Sequence, residues 1–592
     1  MDTFVADFET TTKKEDCHVW AWALCEVGDP ENVFIGTDIF DFMFWCEERP
    51  FNPKIYFHNL KFDGQFIISW LFQEGFTLVE NSRDRATKTF KTMISDDGLY
   101  YCIEVVFYRK GKNIKKVTFY DSMKLLPMSV AKIAKSFHLP IQKGKIDYTA
   151  HDDLPYNSPL TKEEQEYIIG DVRIVAHALD YFRSQGLERI TIGSCAMAEF
   201  KQLIGKRAFD RLFPPMKHHD DLKQTYRGGW TYLNPKFAGV TVGNGVVFDV
   251  NGLFSWVMKE KLLPHGTPIF FKGKYQPDDL YPLYMQMVRC QFDIKPGKLP
   301  TIQVKRFGTS EYLTTSDDED VVLCLNSVDL DLFLEQYDVY NLEYISGWKF
   351  MGTTGIFDEY IDKWQAAKVQ AKAEGNWGLY LVAKLFLNSL YGKFGTSSRR
   401  RSKVPYMDDG VVRYRDTDPE ETGGVYVPMA SFITSYAREK TIRSAQKIQD
   451  DYNAGRSKIQ FVYADTDSLH CVSDDFAAPD GLDVDKYRLG AWKHEGNFDK
   501  AKFLRSKCYM ERLIVDEKTF DEGRSGNHPY LYKRMKGGYR EQKITVAGMP
   551  EECYNEVNFD NFRIGARYEG KKTPETVPGG VVLTNIDFTI KR

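Results

Sequence analysis

KIQFVYADTDSLHCV (458–472) reads as two short strands joined by a tight turn. Apolar residues lead into Asp465-Thr466-Asp467 and then resume. Asp favours turns, so two acids at a hairpin tip have an ordinary explanation. A third acid changes the reading: Asp249, in VVFDVNGLF (246–254), ends an apolar strand of a type that is normally buried. Farther out, DEYIDKWQAAKVQAKA (358–373) and WGLYLVAKLFLNSLYGKF (377–394) form a helical hairpin around Glu374-Gly375-Asn376. Its second helix carries Lys384, Asn388 and Tyr391 at i, i+4 and i+7, a polar stripe on a largely apolar helix. The bland alternative is a solvated helix face with Tyr391 in the core. Together with the acids, the stripe suits a triphosphate, which needs a cation for its charge and a ring against base or sugar.

The amino-terminal part repeats the theme with other acids. If FVADFETT (4–11) is a strand, Asp7 and Glu9 project from one face, since side chains alternate. Two such carboxylates are costly unless they sit in water or a cation lies between them. Asp63 in HNLKFDG (58–64) follows the apolar strand candidate KIYFHNL (54–60). LYYCIEVVFY (99–108) and KKVTFYDS (115–122) flank the basic turn RKGKNIKK as a hairpin. Thr161 and Glu164 make a T-x-x-E capping box, and the helix it starts puts Tyr167 and Asp171 on one face. Four acids on separate elements of one small domain suit hard metals with oxygen ligands, a pair of which cleaves phosphodiesters.

Composition limits the class. The chain has 592 residues, 43% hydrophobic and 27% charged, and 79 basic against 83 acidic residues give −4. It is globular, with room for about three to six domains. It lacks the general basic coat that advertises nucleic acid, so any such partner must be met by local grooves. Ten scattered cysteines without a C-x-x-C pair argue against a disulfide scaffold or structural zinc. The start, MDTFVADFETTTKKED, has no signal-peptide pattern, and no run reaches the ~20 apolar residues of a membrane helix. A soluble cytoplasmic protein is expected, with no membrane partner. Between 262 and 349 the chain is punctuated by Pro and Gly, with β-like pieces TIQVKRF (301–307) and DVVLCLN (320–326). The basic stretch SSRRRSK (397–403) reads as a solvated loop. A long helix over MASFITSYAREKTIRSAQKI (429–448) and a β-like tail with VPGGVVL (577–583) complete the pattern.

On these residues the chain resembles the protein-primed family B DNA polymerases. DFETT, HNLKFDG and YIIGD (167–171) resemble the family's exonuclease motifs, and YRGG (226–229) the motif joining exonuclease to polymerase. DVNGLFS, KLFLNSLYG (384–392), YADTDS (463–468) and KCY (507–509) resemble its polymerase motifs. They occur in order along almost the whole chain.

The resemblance implies an α/β multidomain fold with an RNase H-like 3′–5′ exonuclease over 1–187. A right-hand polymerase follows: palm over 188–261 and 427–530, fingers over 358–395, thumb over 531–592. Two terminal-protein regions would be inserted at 262–357 and 396–426. The implied activity is DNA-directed DNA polymerisation of a linear, viral or plasmid genome from a terminal-protein primer, with strand displacement and proofreading. The implied partners are template and primer DNA, dNTPs and terminal protein, and the chain would be a monomer. The implied cofactor is Mg²⁺, two ions per site, with Mn²⁺ as a substitute.

By the same resemblance, Asp249, the Val250 carbonyl and Asp467 hold the polymerase metals, with Asp465 in support. Lys368 and Lys384 neutralise triphosphate, while Phe254, Asn388 and Tyr391 shape the nascent pair. Tyr226, Arg227, Gly228 and Gly229 guide the template, and Lys507 and Tyr509 hold the primer. In the exonuclease, Asp7, Glu9, Asp63 and Asp171 hold metals, Tyr167 positions water and Lys143 assists. Thr10, Asn59, Phe62, Ser122 and Met123 contact the single-stranded primer end, with His58 nearby on the same strand.

Gly252-Leu253-Phe254-Ser255 departs from the family's Ser and Leu-Tyr-Pro pattern after the first palm acid. Phe254 keeps the ring that excludes a ribose 2′-OH but loses a hydroxyl, worth about 0.5–1.5 kcal/mol. Two other classes remain as alternatives: a metal-dependent nuclease whose second half only grips DNA, and a non-catalytic nucleic-acid scaffold. The first leaves Asp249, YADTDS and the Lys384 stripe unexplained. The second must bury paired carboxylates without metal.

Overall fold

The computed structural model describes residues 2–592 except 217, 218, 307, 308, 422, 424 and 527. The architecture is α/β, with several sheets and helices between them. An eight-stranded mixed sheet forms the amino-terminal unit. At its middle, Thr3–Thr10 runs antiparallel to Val19–Glu26 and parallel to Lys54–Phe57. The hairpin predicted over residues 99–122 forms as Tyr100–Lys110 and Asn113–Asp121. Alternation decides the two faces of Thr3–Thr10. Phe4, Ala6 and Phe8 pack with the helices Ile39–Glu48 and Leu60–Gln73, while Val5 packs toward helix Lys162–Ser184. Asp7 and Glu9 follow Val5 in register, so both acids face the second side. Helix Lys162–Ser184 starts on the capping box: the Glu164 amide donates to Thr161 Oγ1 (3.2 Å) and the Thr161 amide to Glu164 Oε2 (2.8 Å).

A second, nine-stranded antiparallel sheet holds the other acids. Gly245–Val250 lies between Ser468–Val472 and Trp492–Arg505, and Gln460–Asp465 continues the sheet beyond Ser468–Val472. One face packs on helices Leu253–Glu260 and Val427–Asn453; the other carries Val247, Tyr463, Phe503 and Tyr509. The helical hairpin forms as Asp358–Glu374 and Trp377–Phe394. Its turn is short because Gly375 takes the left-handed conformation (φ +70°) and Asn376 caps the next helix by accepting from the Leu379 amide.

Two parts differ from the sequence reading. The region after Leu262 is a four-stranded sheet with its own core, but it also contains helix Ser327–Gln336, capped by Asn326, which the β-like pattern hid. The strand expected over TIQVKRF forms as Ile302–Arg306; residue 307 lies outside the described residues. Arg399 to Arg401 of the basic stretch are exposed, as expected, but part of the stretch is strand and not loop. Arg399–Arg400 pairs with Glu420–Glu421, and Lys403–Asp408 pairs with Val411–Asp416 as a ribbon. Tyr414 of that ribbon donates to Gln65 Oε1 (2.7 Å) on helix Leu60–Gln73.

The carboxy-terminal hairpin, Arg567–Val577 with Gly580–Thr589, reaches the amino-terminal unit. At its tip Gly579 has φ +91°, and a Cβ there would lie 2.2 Å from the Cys17 carbonyl, so only glycine allows that approach. All ten cysteines are free. Among the described residues no helix is long and apolar enough to cross a membrane.

Candidate active sites

Asp249 and Asp467 come together through strand pairing. Asp249 sits opposite Ser468, and the Val250 amide donates to the Asp467 carbonyl at 2.8 Å. The turn that presents Asp467 is strained at Thr466 (φ +65°) and held from three sides. Its amide donates to the Trp230 carbonyl (2.9 Å), its carbonyl accepts from Thr441 Oγ1 (2.8 Å), and Gly229 leaves room for its side chain. A Cβ on Gly229 would stand 2.6 Å from Thr466 atoms, so the YRGGW segment and the acidic turn are fitted to each other.

Asp249, Asp465 and Asp467 share a cleft of about 710 Å³ with His470, Glu495, Lys507, Tyr509 and Lys543. Burial, then Asp467 and Glu495, push Asp249 up to about 7, and burial raises Asp467 as well. Asp465 is differently employed: Lys507 Nζ donates to its Oδ1 at 2.8 Å. Tyr509 stacks on Phe503, with ring centroids 5.4 Å apart.

Beside this cleft Phe254 lies flat on Tyr391, with centroids 4.1 Å apart and planes at 16°. Lys384 and Asn388 are exposed on the same helix. Lys368 is half-buried, and its pKa is lowered by burial and by Lys384, Lys372 and Lys493. Cations so crowded favour an anion among them.

The template motif is more buried than its sequence suggests. Tyr226 packs against Gly395, and Arg227 turns inward, its Nη1 donating to the Cys324 carbonyl at 3.3 Å. Arg438, which sequence reasoning missed, holds the motif's backbone: its Nη1 donates to the Arg227 and Gly228 carbonyls at 2.8 Å each, while its Nη2 pairs with Asp329. Nothing in the helical pattern around Arg438 marks it, because its partners are 109 and about 210 residues away.

The amino-terminal acids also converge. Asp7, Glu9, Asp63 and Asp171 line a cleft of about 450 Å³ with Thr10, His58, Asn59, Phe62, Lys143 and Tyr167. Asp63 follows the strand Lys54–Phe57, as expected, in the first turn of helix Leu60–Gln73, whereas His58 lies in the turn before that helix, not on the strand. Asn59 makes the sharp entry with φ +85°. Burial and Asp171 raise Asp7 to about 7 against the pull of Lys143; burial and Asp7 raise Glu9 and Asp63 well above the usual range.

Lys143 pairs with Asp171 Oδ2 and donates to Tyr167 Oη at 3.1 Å. Tyr148, also missed although only five residues on, meets Tyr167 Oη at 3.1 Å. Ser122, expected as a primer contact, is fully buried. Its hydroxyl donates to the Phe57 carbonyl and pairs with His58 Nδ1, whose Nε2 meets the Met128 carbonyl. Both are committed to holding the cleft wall. Met123 stands in the short turn after them and is half-buried. Val581 and Leu583 of the carboxy-terminal hairpin complete the cleft.

Among the described residues no three His, Cys, Asp or Glu side chains stand together as a ready metal-ligand group. Asp171 Oδ1 is buried without a hydrogen-bond partner among the described residues. An orphaned carboxylate oxygen beside three raised carboxylic acids fits a hard cation, and so does the Asp249–Asp467 pair.

Comparison with known proteins shows the family. The model of the organellar and viral type B DNA polymerases matches residues 47–159 and 154–476. The DNA polymerase of Bacillus phage phi29 is 42% identical over 99% of both chains. Two solved structures of the phi29 polymerase, one with primer-template DNA and one with incoming nucleotide as well, each cover 100% of both chains at 40% identity, with TM-scores of 0.89 and 0.88. The chain belongs to the organellar and viral type B DNA polymerases, in the group of the phage phi29 enzyme.

Proposed function

We propose that this DNA polymerase copies a linear viral genome from a terminal-protein primer, displaces the non-template strand as it goes, and proofreads with a 3′–5′ exonuclease. In this reading residues 1–187 are the exonuclease, 188–261 and 427–530 the palm, 358–395 the fingers and 531–592 the thumb. The segments 262–357 and 396–426 are the terminal-protein regions. Template, primer, dNTPs and terminal protein are the partners of a monomeric enzyme. The observation that carries the reading is the Asp249–Asp467 pair, held on neighbouring strands by the 2.8 Å hydrogen bond from the Val250 amide.

Asp249, the Val250 carbonyl and Asp467 would hold two Mg²⁺ ions in the palm, and Asp7, Glu9, Asp63 and Asp171 would hold two in the exonuclease. When bound, such ions make the attacking oxygen more acidic and neutralise the leaving group. Everything else falls to the chain. Lys384 and Lys368 take up triphosphate charge, and the Phe254–Tyr391 stack bounds the sugar and base. Lys507 and Tyr509 hold the primer strand, and Tyr226 to Gly229 guide the template. In the exonuclease, Tyr167 orients the attacking water, with Lys143 and Tyr148 fixing its hydroxyl. An unpaired base stacked on Phe62 gains roughly 1–3 kcal/mol, enough to compete with re-pairing of a mismatched end.

The test is extension of a primed single-stranded circle with Mg²⁺ and dNTPs, without clamp or helicase. Products longer than the circle, lost in Asp467→Ala and kept in Asp63→Ala, are expected. Degradation alone, abolished by Asp63→Ala, would leave only a nuclease. Terminal protein offered as primer in place of the oligonucleotide tests protein priming separately.

A further inference from the structure

The cleft that holds Asp249 and Asp467 has two walls of different origin. Asp249, Asp465 and Ser468 stand on one; Lys507, Tyr509 and Lys543 stand on the other. The second wall rises from strand Cys508–Val515, which does not neighbour Ser468–Val472. Trp492–Arg505 and Gly245–Val250 lie between them in the sheet. Even so, His470 Nδ1 lies 2.6 Å from Glu511 Oε1. The sheet curls until these two strands face each other, and this pair, with the Tyr509 ring beside His470, joins them at the floor of the cleft, as Lys507 joins Asp465 across it.

Both side chains are buried, at 1% and 0% exposure. Tyr463, Phe503 and Tyr509 ring the imidazole, and Lys543 is the cross-strand partner of Glu511. His470 Nε2 lies 3.3 Å from Ser468 Oγ, on the residue next to Asp467. Glu511 Oε2 has no partner among the described residues. Such a pair is a poor device for stability, since two apolar side chains of the same volume would serve as well or better. It differs from them in direction: a hydrogen bond fixes distance and angle, whereas apolar packing tolerates slippage.

We propose that His470 and Glu511 are a positioning pair that sets the gap between the primer-gripping strand and the catalytic carboxylates, and so the placement of the primer 3′ end. The inference rests on the assignment of Lys507 and Tyr509 to the primer strand. The pair touches neither the nucleotide nor the reacting atoms. Its loss therefore lowers the rate of the chemical step, leaves nucleotide affinity alone, and sends correctly paired ends to the exonuclease.

The experiment compares single-nucleotide insertion, excision of matched primer ends and excision of a free single strand in Glu511→Leu, Glu511→Gln and His470→Asn proteins. Glu511→Leu is expected to lose about tenfold or more in kcat with the dNTP KM within about twofold. Its ratio of matched-end excision to extension rises, while single-strand excision stays native. Glu511→Gln, which keeps an acceptor at the Oε1 position, recovers most of the rate. His470→Asn places its Nδ2 where His470 Nδ1 stands, so it keeps the bond to Glu511 and also retains most of the rate. If Glu511→Leu does not fold, His470→Phe, which keeps a ring but offers Glu511 no polar partner, decides by the same split.

Native kcat and native partition in folded Glu511→Leu or His470→Phe protein would overturn the proposal. So would a parallel loss of both activities that tracks a lower Tm, the mark of a merely structural pair. A Lys507→Ala protein with native primer affinity would instead overturn the primer-strand assignment.

Discussion

The ring of Phe254 lies face to face with that of Tyr391, 4.1 Å between centroids. One ring comes from the helix after Asp249, the other from the polar stripe of the helical hairpin. The stack ties these two elements together and is worth about 0.5–1.5 kcal/mol beyond area burial. Phe254→Val removes it and opens the space beside Tyr391. Ribonucleotide insertion should rise tenfold or more relative to deoxynucleotide. Phe254→Tyr should keep the discrimination and lower the dNTP KM modestly. Steady-state insertion kinetics with matched dNTP and rNTP measure both.

The raised carboxylic acids predict how stability follows pH. Asp7 and Asp249 are each pushed up to about 7, from the usual value near 4. Between those limits the folded chain holds protons that the unfolded chain has released. The stability these groups contribute is therefore present below pH 4 and lost as pH rises toward 7. Without divalent metal, Tm should fall from pH 5 to pH 8. Added Mg²⁺ should restore more of it at pH 8, where the acids are ionised. Thermal denaturation in EDTA and in Mg²⁺ at both pH values tests this.

Lys143 is joined to both Asp171 and Tyr167. Lys143→Ala should slow excision of a single strand by one to two orders of magnitude, about 1.4–2.8 kcal/mol at the barrier. Primer extension should be unchanged, because among the described residues none that lines the Asp249–Asp467 cleft pairs with it. Equal excision by the variant would remove Lys143 from the reaction.

Arg438 is 2% exposed in its side chain, pairs with Asp329 and holds two carbonyls of the YRGG segment. Arg438→Ala leaves Asp329 without its charge partner, at a cost of about 3–5 kcal/mol. A lower Tm is expected together with weaker primer-template binding. Arg438→Lys should recover part of the stability and less of the binding, since one ammonium cannot serve both carbonyls and the carboxylate.

Arg399 pairs with Asp220 and with Glu421, so the basic stretch is anchored at one end. If its ribbon helps encircle DNA, replacing Arg399, Arg400 and Arg401 by alanine should shorten products under single-hit conditions and spare single-nucleotide insertion. Equal product lengths would exclude it.

Local pattern was enough for much of the molecule. Strand alternation put Asp7 and Glu9 on one face, the T-x-x-E box marked the helix that carries Tyr167 and Asp171, and the turn chemistry of YADTDS placed its acids at a hairpin tip. Each depends on residues within a few positions of one another, where period and capping act directly. What spacing could not decide was how distant segments meet. His58 and Ser122 turned toward each other in the wall of the cleft. Arg438 found the YRGG carbonyls, and His470 found Glu511 across a curled sheet. Those contacts join segments that lie tens to hundreds of residues apart. Only the closed, packed chain brings their partners within reach, and desolvation then makes each buried polar group find one.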